Sequence, residues 1–330
     1  MDIQKLFGAK LNRRRLLGNL GMMGAGAVIT ACGGAVGQGD DDDMDEGAAN
    51  YDAAILNFAL NLEYLEAAFY LAAVGRIGEL QEISGDATFG LPEGFDGTTS
   101  IAFENAAVAA YADEIATDEL NHVKFLRAAI GDTLNQPVAA CPDMDFAGAF
   151  AAAAQAAFDL DDVTAAMFDP FANELLFLHG AFIFEDVGVT AYNGASPFVT
   201  DKMTVLQNAA GILAVEAYHA GEIRTLLYGR KDEQTPFGIT VQEVVQGISD
   251  LRGSVGGMKD QGLVVDGEAN IVPTNDASIA FARTPREVAN IVYLNPDATP
   301  GGFFPNGINV PAGLEDDFAF LLNIGVDADA

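Results

Sequence analysis

The sequence predicts an all-α protein whose core is a bundle of four long helices with one long crossover connection. Four long segments carry apolar residues at helical spacing, and glycines end three of them. The connection between the second and third segments is much longer than the others, which is typical of a bundle with a crossover. Half of the 330 residues are hydrophobic, so the chain can bury a sizeable core.

The charge of the chain excludes several classes of partner. The formal net charge is −32, which would repel nucleic-acid backbones and anionic membrane surfaces. We therefore expect no nucleic-acid partner. The acidic surface suits a protein that stays soluble in high salt, and a simply solvated surface explains it equally well.

Residues 1–31 have the pattern of an export signal. Paired arginines precede an apolar run, residues 16–31, that is too short to span a bilayer in the usual way. The pair resembles a twin-arginine signal, and "ITAC" resembles a lipobox with Cys32 as the lipidated residue. We expect a protein exported and anchored to the membrane by lipid on Cys32, at the cell surface or the periplasmic face.

The segment after the signal predicts a tether. Residues 32–49 combine glycines with a run of acidic residues, a composition typical of a flexible, extended chain. With Cys32 lipidated, Cys141 is the remaining thiol. We therefore expect no internal disulfide, and we assign Cys141 no role.

The first half of the bundle follows the tether. Residues 51–75 are apolar nearly all round and predict a long buried helix that ends at Gly75. A second long helix is predicted from about Phe103 to Gly131, after a glycine-rich connection at about residues 84–100. An alanine-rich stretch at 146–158 predicts a short helix within the crossover.

The second half of the bundle has clear start signals. The third long helix is expected to begin with Asp169 as its cap and Pro170 in its first turn. The fourth is expected to begin near Thr200 or Asp201 and to end at Gly229. Together the four helices form a predicted bundle domain.

The last hundred residues differ in composition. The bundle domain is predicted at 50–230, and residues 231–330 are rich in proline and glycine, with helical pattern only at about 241–252 and 285–293. We interpret this region as a loop-rich extension packed on the bundle rather than as a separate enzyme.

Seven of the carboxylate and imidazole groups in the four predicted long helices are candidate metal ligands. In chain order they are Glu63 and Glu66, Glu119 and His122, Glu185, and Glu216 and His219. Residues three apart on a helix lie about 60° apart around it and about 4.5 Å along it. A glutamate and a histidine at that spacing can therefore bind the same metal ion.

The two halves of the bundle repeat one set of spacings. A tyrosine follows a glutamate by seven residues, and an arginine follows a histidine by five. The two sets are Glu63, Tyr70, His122 and Arg127, and Glu185, Tyr192, His219 and Arg224. Two helical hairpins related by a pseudo-twofold axis would bring the glutamates and histidines around one point.

This order resembles the ferritin-like di-metal carboxylate proteins, in which two helices each give a glutamate and two give a Glu-x-x-His pair. More narrowly, "LNFALNLEYLEAAFY", "FIFEDVGVTAY", "VEAYHAGEIR", "FARTPREVANIVY" and "GGFFPNG" resemble the ferritin-like proteins called desiccation-related. The resemblance covers most of residues 50–310. It implies a ferritin-like fold and the metal ligands Glu63, Glu119, His122, Glu185, Glu216 and His219.

The helix-one ligand is left open between Glu63 and Glu66. We prefer Glu63, because its spacing to Tyr70 matches that of Glu185 to Tyr192. Glu66 would then lie next to the ligands, as would the two tyrosines. Tyr70, Tyr192 and Tyr218 are interpreted first as core tyrosines and only second as redox groups.

The charge of the ligand set favours two divalent metal ions. Four carboxylates and two neutral imidazoles carry four negative charges, which two divalent cations would neutralise; without them the buried carboxylates would have to take up protons. Mixed oxygen and imidazole ligands suit iron or manganese better than structural zinc. His179, six residues before Glu185, points elsewhere around the helix and is interpreted as a satisfied packing or interface histidine.

One residue breaks the repeat. Asp118 precedes Glu119, whereas Val215 precedes Glu216. In related di-iron sites such an aspartate accepts a hydrogen bond from the ligand histidine across the site. Our hypothesis is that Asp118 orients His219.

The sequence is compatible with two functions. One is a metal-dependent oxidoreductase that reacts with a small oxidant, dioxygen or peroxide, or oxidises Fe²⁺. The other is a lipid-anchored desiccation or stress protein with a structural or vestigial metal site. We do not expect a storage cage, because the tether and the extension would have to fit at every cage interface; a homodimer is kept as an open hypothesis.

Overall fold

The computed structural model describes residues 50–158 and 160–324. The expected signal at 1–31, the lipidation of Cys32 and the tether at 32–49 lie outside the described residues. The helices of the described chain are α1 (Asp52–Ala73), α2 (Ile77–Ser84), α3 (Ala106–Ala128), α4 (Phe146–Phe158), α5 (Asp162–Ala165), α6 (Glu174–Ala195), α7 (Val205–Gly229), α8 (Val241–Val255), α9 (Pro285–Val292) and α10 (Glu315–Asn323). Two short strand pairs accompany them: β1 (Phe89–Gly90) is parallel to β2 (Met144–Asp145), and β3 (Val264–Val265) is antiparallel to β4 (Glu268–Ala269).

The four long helices α1, α3, α6 and α7 form the expected bundle. The most extensive packing is between α1 and α3 and between α6 and α7, which are the two hairpins of the sequence repeat. The α1 and α6 sequences are apolar nearly all round, and both helices are buried on almost every side. The α3 and α7 sequences are amphipathic, and each presents one face to solvent. The all-α prediction is confirmed.

The α6 segment is apolar enough to cross a membrane by length and composition, when taken with the turn that follows it. In the bundle, 94% of its most apolar window is buried inside the protein. Its hydrophobicity is therefore that of a core helix.

Glycines were predicted to end both helices of the first hairpin, and one of the two predictions holds. Gly75 ends α1 as predicted: its φ is 78°, and a Cβ there would lie 2.5 Å from the backbone nitrogen of Ser100. Gly131 does not end the second helix. The chain continues in a π-helical turn to Thr133, and Asn135 takes the left-handed conformation instead, with φ 51°.

Two start signals of the second hairpin also need correction. The α6 helix begins at Glu174 and not after Asp169, because Asn173 has extended backbone and accepts a hydrogen bond from the Leu176 amide. The Asp169 carboxylate accepts from the Phe171 amide in a separate turn. The predicted cap at Asp201 does accept from two backbone amides, but regular α7 begins only at Val205.

The loop-rich extension contacts the bundle through specific polar groups. Arg252 binds the Asp186 carboxylate at 2.9 Å, and Arg283 donates to the Thr190 hydroxyl at 2.9 Å, both on α6. Asn309 and Asn61 of α1 exchange hydrogen bonds of 2.8 and 3.0 Å. The helices α8 and α9 of the extension begin with capping boxes and match the expected positions. The expectation that helix is limited to those two stretches is wrong, since α10 also forms.

Candidate metal centre

The bundle brings six predicted ligand residues to one place at its centre. The helices α1 and α6 each give a glutamate, and α3 and α7 each give a Glu-x-x-His pair. The six residues are Glu63, Glu119, His122, Glu185, Glu216 and His219, and all are 9% exposed or less. They form two groups whose potential ligand atoms lie within 4.8 Å of one another, and Glu119 belongs to both groups.

The first group surrounds His122. Its Nδ1 atom lies 3.1 Å from Glu63 Oε2, 3.4 Å from Glu119 Oε2 and 3.8 Å from Glu216 Oε1. One helix turn separates Glu119 from His122, so the Glu-x-x-His spacing places both on the inward face of α3.

The second group surrounds His219. Its Nδ1 atom lies 3.1 Å from Glu119 Oε1 and 3.5 Å from Glu185 Oε2. The two oxygens of Glu119 therefore face different histidines. A carboxylate placed in this way can bridge two metal ions.

The unpaired atoms at the centre test whether these residues fit a metal. Both carboxylate oxygens of Glu119 and of Glu216 are buried without a hydrogen-bond partner in the described chain, as are Glu185 Oε2 and His219 Nδ1. These atoms face one another, so their lone pairs repel unless a cation or a proton lies between them. Buried polar groups without partners are costly. The donor set therefore fits divalent cations.

The electrostatics of the metal-free cluster lead to the same conclusion. Burial raises the pKa of Glu63 to about 7. Burial and the neighbouring carboxylates hold the pKa of Glu216 well above its usual range. Although burial opposes ionisation of Glu119, the two histidines lower its pKa to about 2.

The pKa values of the two histidines are raised, whereas burial alone would lower them. Although burial disfavours their charged forms, the adjacent carboxylates raise the pKa of His122 to about 10 and that of His219 to about 12. Without metal, the cluster must hold protons to offset its carboxylates. Divalent cations would replace those protons.

The two tyrosines of the sequence repeat cross between the hairpins. The Tyr70 hydroxyl, on α1, donates to Glu185 Oε1 on α6, and the Tyr192 hydroxyl, on α6, donates to Glu63 Oε1 on α1. Each tyrosine thus orients the glutamate of the other half. Tyr70 is fully buried, in line with its interpretation as a core tyrosine, but Tyr218 is 79% exposed and the same interpretation of it is wrong.

Asp118 lies beside His219, the histidine that we expected it to orient. Its Oδ2 atom is 3.3 Å from Nε2 of His219. If Nε2 carries the hydrogen, Nδ1 presents its lone pair to Glu119 and Glu185. Val215 occupies the equivalent position before Glu216 and offers no acceptor to His122.

Glu66 lies beside the ligand groups but belongs to neither of them. It is 5% exposed, and burial and the charges of Glu119 and Glu185 hold its pKa well above its usual range. No hydrogen-bond partner for its carboxyl occurs in the part of the chain that the structure describes. The geometry therefore favours Glu63 over Glu66 as the helix-one ligand.

A residue that sequence reasoning missed makes room for these carboxylates. Gly188 follows Glu185 by one helix turn, and a Cβ there would lie 2.1 Å from Glu216 Oε2 and 3.4 Å from Glu66 Oε1. A glycine in the middle of a buried helix is unfavourable unless something needs its space. A glycine inside the apolar third helix was therefore the feature of the sequence that could have indicated a close approach at this position.

The paired arginines hold the residues that follow the two glutamates. Arg127 donates to the hydroxyl of Tyr64, next to Glu63, and Arg224 donates to Asp186, next to Glu185, at 2.8 Å. The repeat therefore extends beyond the ligands to the groups that fix their helices.

His179 lies away from both ligand groups. Its Nδ1 atom is 2.8 Å from the Leu175 carbonyl, and burial lowers the pKa of its ring to about 4. It is fully buried, in agreement with a packing role, but its Nε2 atom has no hydrogen-bond partner among the described residues, so the ring is not fully satisfied.

Comparisons with known proteins agree with this geometry. The profile of the family described as "Ferritin-like domain" matches residues 51–229. The desiccation-related protein PCC13-62 of Craterostigma plantagineum is 32% identical over 297 residues, which cover 84% of this chain and 88% of the relative. The ferritin-like catalase Nec2 of Nesocodon mauritianus is 29% identical over 282 residues, covering 81% and 87%. No solved structure matches significantly.

Proposed function

The chain belongs to the ferritin-like domain family, and from that premise we propose that it binds two divalent metal ions, iron or manganese, and uses them to consume hydrogen peroxide. The observation that carries the proposal is the set of buried carboxylate oxygens without partners, arranged around two histidines that share Glu119. The name of the Nesocodon relative supports peroxide as the substrate.

The ligands would divide into two sets. Glu63 and His122 would hold one ion, Glu185 and His219 would hold the other, and Glu119, which belongs to both groups, would be available to each. Glu216, which belongs to the His122 group, lies above Gly188 with both oxygens unpaired. We propose that it would help to hold the ion of the His122 group.

The reaction proposed is the disproportionation of peroxide. Two molecules of hydrogen peroxide give one dioxygen and two waters: one peroxide loses two electrons and two protons, and the other gains both. When bound, the metal ions supply the redox equivalents for this exchange. The protein fixes the ligands through Tyr70, Tyr192 and Asp118 and keeps bulk water away by burial.

Metal analysis combined with turnover tests the proposal. The protein purified without added metal should contain close to two equivalents of iron or manganese per chain, and it should evolve dioxygen from peroxide. The Glu119→Gln variant should lose most of both metals and the activity, because that residue belongs to both groups. Glu114→Gln, an exposed change on the same helix, is the matched control.

A second candidate function is favoured by the Craterostigma relative, which is named as desiccation-related. In this alternative the metals stabilise a protein of the dehydrated or stressed cell and do no chemistry. Two tightly bound metals with no turnover of peroxide, and a large fall in melting temperature on chelation, would favour it over the enzyme.

The location of the protein completes the proposal. We propose export by the twin-arginine route and anchoring through lipidated Cys32, on the sequence pattern alone. Mass spectrometry of the mature protein should find an acylated N-terminus at Cys32, and Cys32→Ser should release the protein from the membrane fraction. A mature chain that retains residues 1–31 would contradict this.

A further inference from the structure

A small apolar cavity adjoins the candidate metal centre on the side away from the histidine-bearing helices. It lies between α1 and α6, where Leu62 and Leu65 face Phe184 and Val187, and Glu66 and Gly188 form its edge toward the ligands. Its volume is about 20 Å³. A single water needs roughly 10–15 Å³, so a molecule slightly larger than water fits. We call it the Glu66 cavity.

The extension supplies the outer wall of this cavity. Ile291 and Val292 of α9 and Phe303 cover the seam between α1 and α6, and each is 4% exposed or less. Backbone contact fixes this wall, since the Phe303 amide donates to the Val292 carbonyl at 2.9 Å. The extension therefore shapes a space that the bundle alone would leave open.

The chemistry of the lining selects an uncharged ligand. Its side chains are apolar apart from Glu66, whose single carboxyl group could not complete the coordination of a metal cation, and an anion would meet no positive charge there. Beside His219, by contrast, the Asp118 side chain is 40% exposed to solvent.

We propose that the Glu66 cavity binds a small uncharged molecule, either hydrogen peroxide on its way to the centre or dioxygen leaving it. This inference rests on the proposed function for its substrate but not for the cavity. Glu66 marks the point at which the molecule passes from the apolar space to the ligands. The extension is then part of the reaction chamber.

Xenon tests the cavity without any turnover, because it enters apolar cavities and scatters anomalously. Crystals of the metal-free protein under xenon pressure should show an anomalous peak between Leu65, Val187 and Val292. The Val292→Ile variant, which adds one methylene from the extension side, should abolish that peak. No peak in the wild-type protein would overturn the proposal.

Kinetics of the metal-loaded protein distinguish the two molecules. With peroxide as the probe, Val292→Ile should raise KM several-fold if peroxide enters through the cavity, or lower kcat at unchanged KM if dioxygen leaves through it. The matched control is Ala157→Val, which fills another cavity of about 20 Å³ between α4 and α8. Equal kinetics of the two variants and the wild-type protein would overturn the proposed role of the cavity.

The two proposals fail in different ways. A wild-type protein that binds metal but does not turn over peroxide contradicts the proposed function, and the xenon peak still decides whether the cavity accepts a small uncharged molecule. A xenon peak that persists in Val292→Ile contradicts the cavity as drawn, whatever the activity.

Discussion

At the scale of single residues, side-chain contacts distinguish the candidate metal ligands from their buried neighbours. Glu63 and Glu66 lie on the same helix and both are buried, but Glu63 faces His122 at 3.1 Å and receives the Tyr192 hydroxyl, whereas Glu66 belongs to neither ligand group. Spacing along the chain favoured Glu63, and the contacts supply the physical reason. A ligand must share a focal point with the other donors and not merely face inward.

The first prediction separates these two glutamates. Glu63→Gln should lose at least one equivalent of metal, because a neutral amide removes one of four compensating charges and a donor of the His122 group. Glu66→Gln should keep both metals. Metal content by mass spectrometry after dialysis decides this, and a variant Glu66→Gln that binds less metal than Glu63→Gln would reverse our assignment.

The second prediction concerns Asp118. Replacement by Asn should weaken metal binding at the His219 side by roughly 10–100-fold, because the amide can no longer orient Nε2–H as a carboxylate does. The His122 side should change little, so stepwise chelation should show one weakened and one normal site. Glu114→Gln again serves as the control, and equal weakening of both sites would count against the hypothesis.

At the scale of elements, the centre depends on how closely α6 and α7 approach. The missing side chain of Gly188 leaves the space that the Glu216 carboxylate fills. Tyr70 and Tyr192 also connect the two hairpins, because the hydroxyl of each donates a hydrogen bond to a glutamate of the other hairpin. The two hairpins should therefore assemble together with the centre rather than independently.

The third prediction tests this approach. Gly188→Ala should displace Glu216 and lower both metal content and stability, since the added Cβ would lie 2.1 Å from Glu216 Oε2. Gly211→Ala on α7 has nothing within 4 Å, so it should be neutral or stabilise the protein by roughly 0.5–1 kcal/mol. Thermal unfolding of both variants, with and without metal, makes the comparison. Equal effects of the two changes would show that the glycine is not needed for the carboxylate.

At the scale of the whole molecule, metal binding should control stability and its dependence on pH. The metal-free cluster holds protons in the folded state at pH values where the unfolded chain has lost them. Glu63, His122 and His219 have folded pKa values of about 7, 10 and 12, each above the ordinary value. Stability from such groups is complete below the unfolded pKa and is lost as pH rises through the folded pKa.

The fourth prediction follows from this sign. The free energy of unfolding of the metal-free protein should fall as pH rises from about 5 to about 9, by roughly 1.4 kcal/mol per pH unit for each group that titrates in its window. The pKa of Glu119 is lowered, so its contribution to stability has the opposite pH dependence. That contribution changes only below pH 4.5, the ordinary pKa of a glutamate, and therefore outside this range. The metal-loaded protein should keep its stability over the same range, because its ligands are already deprotonated.

Chemical denaturation at several pH values, with and without manganese, measures the difference. Both forms carry the same acidic surface, so its self-repulsion should largely cancel between them. The same pH dependence in the loaded and metal-free proteins would contradict a cluster that exchanges protons for metal.

The sequence by itself determined the bundle and the composition of its centre. Apolar periodicity marks the long helices, and the Glu-x-x-His spacing places two donors on one helix face, since both properties depend only on local helix geometry. The tyrosine spacing favoured Glu63 over Glu66, in agreement with the contacts of Glu63 in the structure. The starts of α6 and α7 were missed because several residues near each start can cap a helix, and packing selects among them.

Only the tertiary structure decided how these pieces meet. It crosses Tyr70 to Glu185 and Tyr192 to Glu63, places Gly188 beneath Glu216, and lays Phe303 and Val292 over the α1–α6 seam. Each of these contacts joins residues that are distant along the chain. Helical periodicity fixes the direction of a side chain around its own axis, but the distance and rotation between helices come from the packing of all of them together.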